Sequence, residues 1–219
     1  MVMTVVDRYR RVRGNAGFRL SALRATALFA ASVIVNFYAG TYATERASNA
    51  VTDIILSNTP VFNVDEIFLY GTTALILSIS LLLLLHPHKI PFALESLGTF
   101  ILIRSVFISL THIGPFPEHA ALDLGTFTRK FLFGGDLFFS GHTGIPFMMS
   151  LIFWRDRWLR IIFLAWSILF ALIVLLGHYH YTIDVLSAYF ITYSIYHIAL
   201  WLFPEDHRLF MSESELAPS

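Results

Sequence analysis

Residues 134–154 read GGDLFFSGHTGIPFMMSLIFW. The second half is apolar enough for the interior of a membrane, yet an Asp, a Ser, a His and a Thr fall within the eight residues 136–143. Whether this segment counts as a crossing decides whether the chain spans an even or odd number of times, and hence whether its two termini share a side. Five other apolar segments surround it, at roughly 20–43, 66–86, 93–113, 158–177 and 181–203. Most approach the ~20 residues a helix needs to cross hydrocarbon. The fourth segment, 138–154, is the shortest and the most polar at its start. Counting it, the expected fold is an all-α membrane protein, a six-transmembrane-helix bundle.

Composition supports that class. Of 219 residues, 56% are hydrophobic and 14% charged, against about 25% charge in a soluble globule. Such a chain lacks the polar groups to cover a water-facing surface. Formal net charge is zero, which argues against bulk attraction to nucleic acid. The absence of cysteine excludes disulfides, thiolate catalysis, zinc–thiolate sites and iron–sulfur clusters. No repeat of 20–50 residues is visible. We expect three stretches: a basic tail at 1–19, the membrane domain at 20–203, and a loose polar tail at 204–219, PEDHRLFMSESELAPS. The basic start lacks a short apolar core and a small-residue cleavage site, so it reads as a retained tail.

Lys and Arg set the orientation. Arg8, Arg10, Arg11, Arg13, Arg19, Lys89, Arg155, Arg157, Arg160 and Arg208 fall on one side, and Arg46, Arg129 and Lys130 on the other. The excess places both termini in the cytoplasm, and six spans agree. The fourth and sixth spans then begin on the extracytoplasmic face, where SGHT (140–143) and HYTID (180–184) converge.

Titratable groups at membrane depth are costly and therefore functional candidates. Arg104, about ten residues into the third span, calls for a buried anion or carboxylate. His142 follows Ser140 and Gly141 at a helix start, where free N–H groups attract anions such as phosphate. His180 and Asp184 are four apart and share a helical face; the carboxylate can accept from Nδ1 and leave Nε2 as base or nucleophile. The other histidines read as ordinary: His86 and His88 flank Pro87 in a loop, His197 is a satisfied core group, and His207 lies in the tail. His178 and His180 form an HxH pair that Asp184 could complete around a metal, but no third imidazole is evident. No two helices offer matched histidines for a haem.

Three stretches resemble the sphingomyelin synthase family. GGDLFFSGHT (134–143) is similar to its Cys-Gly-Asp-x-x-x-Ser-Gly-His-Thr motif, with Gly134 in place of the Cys. HYTIDVLSAYFIT (180–192) resembles the second catalytic motif, and RSVFISLTHIGPFPEH (104–119) an upstream motif with an Arg before a Thr and a Pro-x-Pro turn. NTPVFNVDE (58–66) occupies the place of a Pro-Leu-Pro-Asp motif. The broader kinship is with type 2 phosphatidic acid phosphatases, which act on lipid phosphates with two histidines and an aspartate. The resemblance implies catalytic roles for His142, His180 and Asp184: His180 as nucleophile, Asp184 orienting it, His142 as general acid and then base. It implies that Arg104 binds phosphate and that Asp136 positions His142 or a choline-like ammonium. Ser140, Gly141 and Tyr181 complete the expected substrate-binding set, with Phe138, Phe139 and Tyr179 as interfacial aromatics.

The implied activity is phosphotransfer: a phosphocholine or phosphoethanolamine head group passes from a glycerophospholipid to ceramide, diacylglycerol or a similar lipid alcohol through a phosphohistidine. The implied setting is a plasma (bacterial inner) or Golgi-type membrane, with the site extracytoplasmic and no cofactor or metal. A lipid phosphatase using water as acceptor is the alternative, and a non-catalytic lipid-binding membrane protein the third reading.

Overall fold

The computed structural model describes residues 4–120 and 136–211. Arg129, Lys130, Gly134 and the last residues of the C-terminal tail lie outside the described residues. The described residues form α-helices and two 3-10 turns, with no strand. The helices are α1 (Val5–Arg13), α2 (Ala16–Glu45), α3 (Asp65–Leu85), α4 (Ile90–Leu110), α5 (Gly141–Ile152), α6 (Arg157–Leu176), α7 (Thr182–Leu202) and α8 (Pro204–Met211).

Five stretches are long and apolar enough to cross a membrane: α2, α3, α4 with the 3-10 turn before it, α6 and α7. Their outer faces are hydrophobic as a water-soluble surface would not be: Leu110 is 75% exposed, Phe190 76% and Trp201 79%. Contiguous apolar surface of this kind marks contact with lipid or protein. The fourth apolar segment behaves differently. Its helix α5 has 12 residues, a rise of about 18 Å, short of the ~30 Å hydrocarbon core. The polar start noted at 136–140 is the reason, since that stretch stays non-helical and Ser140 caps the helix. Pro146, inside α5, cannot donate to the carbonyl four residues back and further weakens its first turn.

Successive helices run in alternating directions. The starts of α3, α5 and α7 meet the ends of α2, α4 and α6 at one end of the bundle. Helices α2 and α4 form the most extensive pair. Gly98 permits it, since a Cβ there would lie 3.4 Å from the Phe29 backbone. Helix α5 lies against α4, α6 and α7. Gly144 brings it in, because a Cβ at this position would meet the Phe100 ring at 2.7 Å and Thr192 Oγ1 at 2.9 Å. One apolar core runs through the bundle, with Phe92, Phe100, Phe139, Met148, Phe153, Phe170 and Ala188 all fully buried.

The reading of 204–219 as a loose tail is corrected over its first half. Pro204 opens α8, and Asp206 and Phe210, four apart, are both buried. Asp206 accepts a hydrogen bond from Arg24, which also binds Glu95 at 3.0 Å. Net polarity hid this pattern: one helical face of α8 is complementary to the bundle although its composition is not apolar. One histidine also departs from expectation: His197, read as a core group, is exposed between the rings of Tyr193 and Tyr196.

Candidate functional site

The site assembles where the non-helical stretch 136–140 passes over the start of α7. His180 precedes that helix in the turn after α6. Its Nδ1 lies 2.9 Å from the Leu137 carbonyl and 3.4 Å from Asp184 Oδ2. Both neighbours are acceptors, so Nδ1 carries the proton and Nε2 keeps its lone pair. The pairing of His180 with Asp184 expected from their spacing is present, but the nearer partner is a backbone carbonyl. Asp184 is fully buried, and its Oδ2 also accepts the Tyr181 backbone N–H at 3.0 Å. The carboxylate thus closes the first turn of α7 and steadies the imidazole with the same oxygen.

Arg104 holds the other side of the stretch. It is 7% exposed. Its Nε donates to the Phe139 carbonyl at 2.8 Å, one terminal nitrogen to Asp136 Oδ2 at 3.1 Å, and the other to the Asp136 carbonyl at 2.6 Å. The carboxylate partner that its depth demanded is Asp136, itself only partly buried, with its side chain 21% exposed. The bonds to residues 136 and 139 flank Leu137, the carbonyl that meets His180. The Ser140 N–H donates to the Asp184 carbonyl at 3.2 Å, which ties the two motifs together directly.

His142 sits in the first turn of α5. Its ring packs against Phe68, 4.4 Å between centroids, and Phe170, 5.9 Å. Gly141 lies directly over Arg104, whose Nε would be 3.4 Å from a Cβ at that position. Ser140 is buried, and its Oγ faces the Thr143 N–H at 3.4 Å. The Ser167 hydroxyl donates to the Thr143 carbonyl at 2.8 Å, fixing this turn against α6. His142, His180, Asp184, Arg104, Asp136, Ser140 and Gly141 therefore share one site.

Two expectations are not met by the geometry. Tyr181 is 1% exposed; its hydroxyl donates to the Gly114 carbonyl at 2.8 Å and accepts the Val51 N–H at 3.2 Å. It locks loops instead of facing a ligand. Phe139 is likewise fully buried in the core. Asp136, expected beside His142 or an ammonium, has its carboxylate on Arg104. His178, the other half of the HxH pair, directs Nδ1 at the Glu118 carbonyl, 2.7 Å away. Among the described residues, no group of three or more His, Cys, Asp or Glu is disposed to hold a metal.

The sequence reading missed several supports. Asp53, in the loop between α2 and α3, receives the Thr182 N–H at 2.7 Å and the Thr182 hydroxyl at 2.9 Å. Burial alone would raise its carboxyl; hydrogen bonds from Thr182, Leu56 and Ile55 outweigh that and hold it below its ordinary range. Tyr179 bonds Asp65 through its hydroxyl and packs on Phe68, 5.0 Å between centroids. Burial first, and then the bond to Asp65, push its phenol up.

Residues 134–201 match the family model described as PAP2 superfamily C-terminal. That is about a third of the chain, and it holds both histidine motifs and Asp184 but not Arg104. No curated protein and no solved structure matches the chain.

Proposed function

We propose that the protein is an integral-membrane lipid phosphotransferase. It moves a phospho-head group from a glycerophospholipid to ceramide or a similar lipid alcohol. The observation that carries this reading is the arrangement of His180: with its Nδ1 proton facing Leu137 and Asp184, Nε2 is the nucleophilic atom, in the same site as a second imidazole. His180 Nε2 attacks phosphorus. His142 protonates the departing diacylglycerol oxygen as the P–O bond breaks, leaving a head-group phosphohistidine. The acceptor hydroxyl then gives its proton to His142 and attacks phosphorus, breaking the P–N bond and freeing His180. Two displacements retain configuration at phosphorus. The N–H groups in the first turn of α5 and the Arg104 charge beneath Gly141 favour the negative oxygens.

The similarity of residues 134–201 to the PAP2 superfamily supports a second reading, hydrolysis through the same intermediate with water as acceptor. Incubating the purified protein with labelled phosphatidylcholine, phosphatidylethanolamine and ceramide separates the two. Labelled phosphoceramide with free diacylglycerol supports transfer, whereas a water-soluble head-group phosphate supports hydrolysis.

In the membrane, both termini are cytoplasmic and the site is extracytoplasmic, with the stretch 136–140 and α5 together completing a sixth crossing. The Lys and Arg distribution supports this. The chain has no cysteine, so Glu118→Cys and Glu205→Cys, both at exposed positions, give clean reporters. An impermeant maleimide added to intact cells labels the first and not the second; the opposite pattern inverts the assignment.

A further inference from the structure

Thr182 stands two residues after His180 and opens α7. A helix start leaves backbone N–H groups without partners inside the helix. Here two carboxylates from distant parts of the chain share them. Asp184, on the helix itself, takes the Tyr181 N–H. Asp53, from the loop between α2 and α3, takes the Thr182 N–H on Oδ2 and the Thr182 hydroxyl on Oδ1. Asp53 is itself buried. Its Oδ1 also accepts the Ile55 and Leu56 N–H groups at 2.9 and 3.1 Å. The carboxylate therefore receives four hydrogen bonds, two from Thr182 and two from its own loop.

The loop turned in this way reaches His180 from a second direction. Leu56 is buried in one apolar cluster with Leu137 and Tyr181. Leu137 is the residue whose carbonyl lies 2.9 Å from His180 Nδ1. The loop is braced on its other flank too. The Val51 N–H donates to the Tyr181 hydroxyl at 3.2 Å, and Ser48 and Asn49 pair through the backbone with His112 and Gly114 after α4. A staple serving the loop alone would end within the loop. This one ends two positions from His180 and, through Leu56, behind the carbonyl that holds its Nδ1.

We propose that Asp53 is a positioning residue for His180. By fixing Thr182 on one side and the contact of Leu56 with Leu137 on the other, it sets the length of the bond between His180 Nδ1 and the Leu137 carbonyl, and with it the aim of Nε2. The proposal rests on the reading of His180 as the nucleophile. Among the described residues the Asp53 carboxylate bonds Thr182 and its own loop, not a histidine. Its effect on catalysis therefore passes through the backbone around His180 and falls on kcat, not on KM for the lipid donor.

The test uses the full-length protein in lipid nanodiscs. Turnover of phosphatidylcholine and phosphatidylethanolamine is measured per folded molecule, and the His180 Nδ1 proton is followed by NMR. Asp53→Ala should lower kcat about 10–10²-fold, the cost of displacing a reacting group by about 1 Å, with KM nearly unchanged. The Nδ1 proton should move upfield as its bond to Leu137 lengthens. Thr182→Val keeps the backbone donor and loses only the hydroxyl, so it tests the same link should Asp53→Ala fail to fold. It should lower kcat about two- to tenfold, the worth of one neutral hydrogen bond, and Thr182→Ser should restore it. A carboxylate that only holds the fold lowers the melting temperature and leaves kcat per folded molecule and the Nδ1 resonance as they were. That result, a rise in KM in place of the fall in kcat, or a Thr182→Val variant matching wild type in both readouts overturns the proposal. Wild-type protein inactive on both donors strikes the phosphotransfer reading instead, and the Nδ1 resonance in the variants then decides the positioning role by itself.

Discussion

The two ends of the bundle treat buried polar side chains in opposite ways. At the far end side chain meets side chain: Arg24 spans Glu95 and Asp206, both carboxylates buried. At the histidine end the backbone does much of the holding. Carbonyls of Asp136, Leu137 and Phe139 receive Arg104 and His180. A side chain neutralised by another side chain is a strut. An imidazole anchored through one nitrogen by a main-chain carbonyl is fixed yet still reactive at the other nitrogen. The comparison separates polar groups that hold the fold from those placed for chemistry.

The sharpest test of that division is His180→Ala. It removes the proposed nucleophile and should lower both transfer and hydrolysis by about 10⁴-fold or more, read as product formed per folded protein; near-normal turnover would move the chemistry elsewhere. His142→Ala should follow at about 10²–10⁴-fold on natural lipids. A nitrophenyl phosphodiester, whose leaving group needs no proton, should recover much of that loss in His142→Ala and none in His180→Ala. The reverse pattern exchanges the two roles.

Asp184→Asn should be milder. Four-residue spacing alone suggests a tautomer lock whose loss costs about 10⁴-fold, as in serine-protease triads. Here the Leu137 carbonyl also fixes the tautomer. One oxygen of Asp184 serves both Tyr181 N–H and His180, a duty an asparagine oxygen can take over. A fall of about 10–10²-fold in kcat is expected, with the imidazole nitrogen shifts seen by NMR unchanged. A loss matching His180→Ala would return the orienting role to the carboxylate. The smallest catalytic effect belongs to the far end: Arg24→Ala leaves two buried carboxylates facing each other. The melting temperature should fall by about 5–15 °C, while activity per folded molecule should hold. A selective loss of activity would couple the two ends.

The helices were legible in the sequence because each apolar run is bounded by its own caps and turns. The pairing of His180 with Asp184 and the need of Arg104 for a carboxylate were legible too, the first from helical spacing and the second from the cost of burying charge. Leu137 was not. Every residue carries the same carbonyl, so a backbone acceptor leaves no mark in residue type. Asp53 was hidden for another reason: its partner Thr182 is 129 positions away, and only the folded loop brings them together. Helix α8 was lost to averaging, since its two buried residues sit among exposed charged ones.

The turn that carries His180 contains a residue with an unusual backbone. His178 has φ of 54°, in the left-handed region where a β-carbon costs roughly 1–2 kcal/mol. Its imidazole offsets this through the Glu118 carbonyl and the edge of Phe116. The usual ranking of substitutions is therefore inverted at this position. Valine or isoleucine, welcome elsewhere in so apolar a chain, would be the worst tolerated. Glycine would relax the backbone while releasing Glu118, and asparagine would come nearest to a neutral exchange.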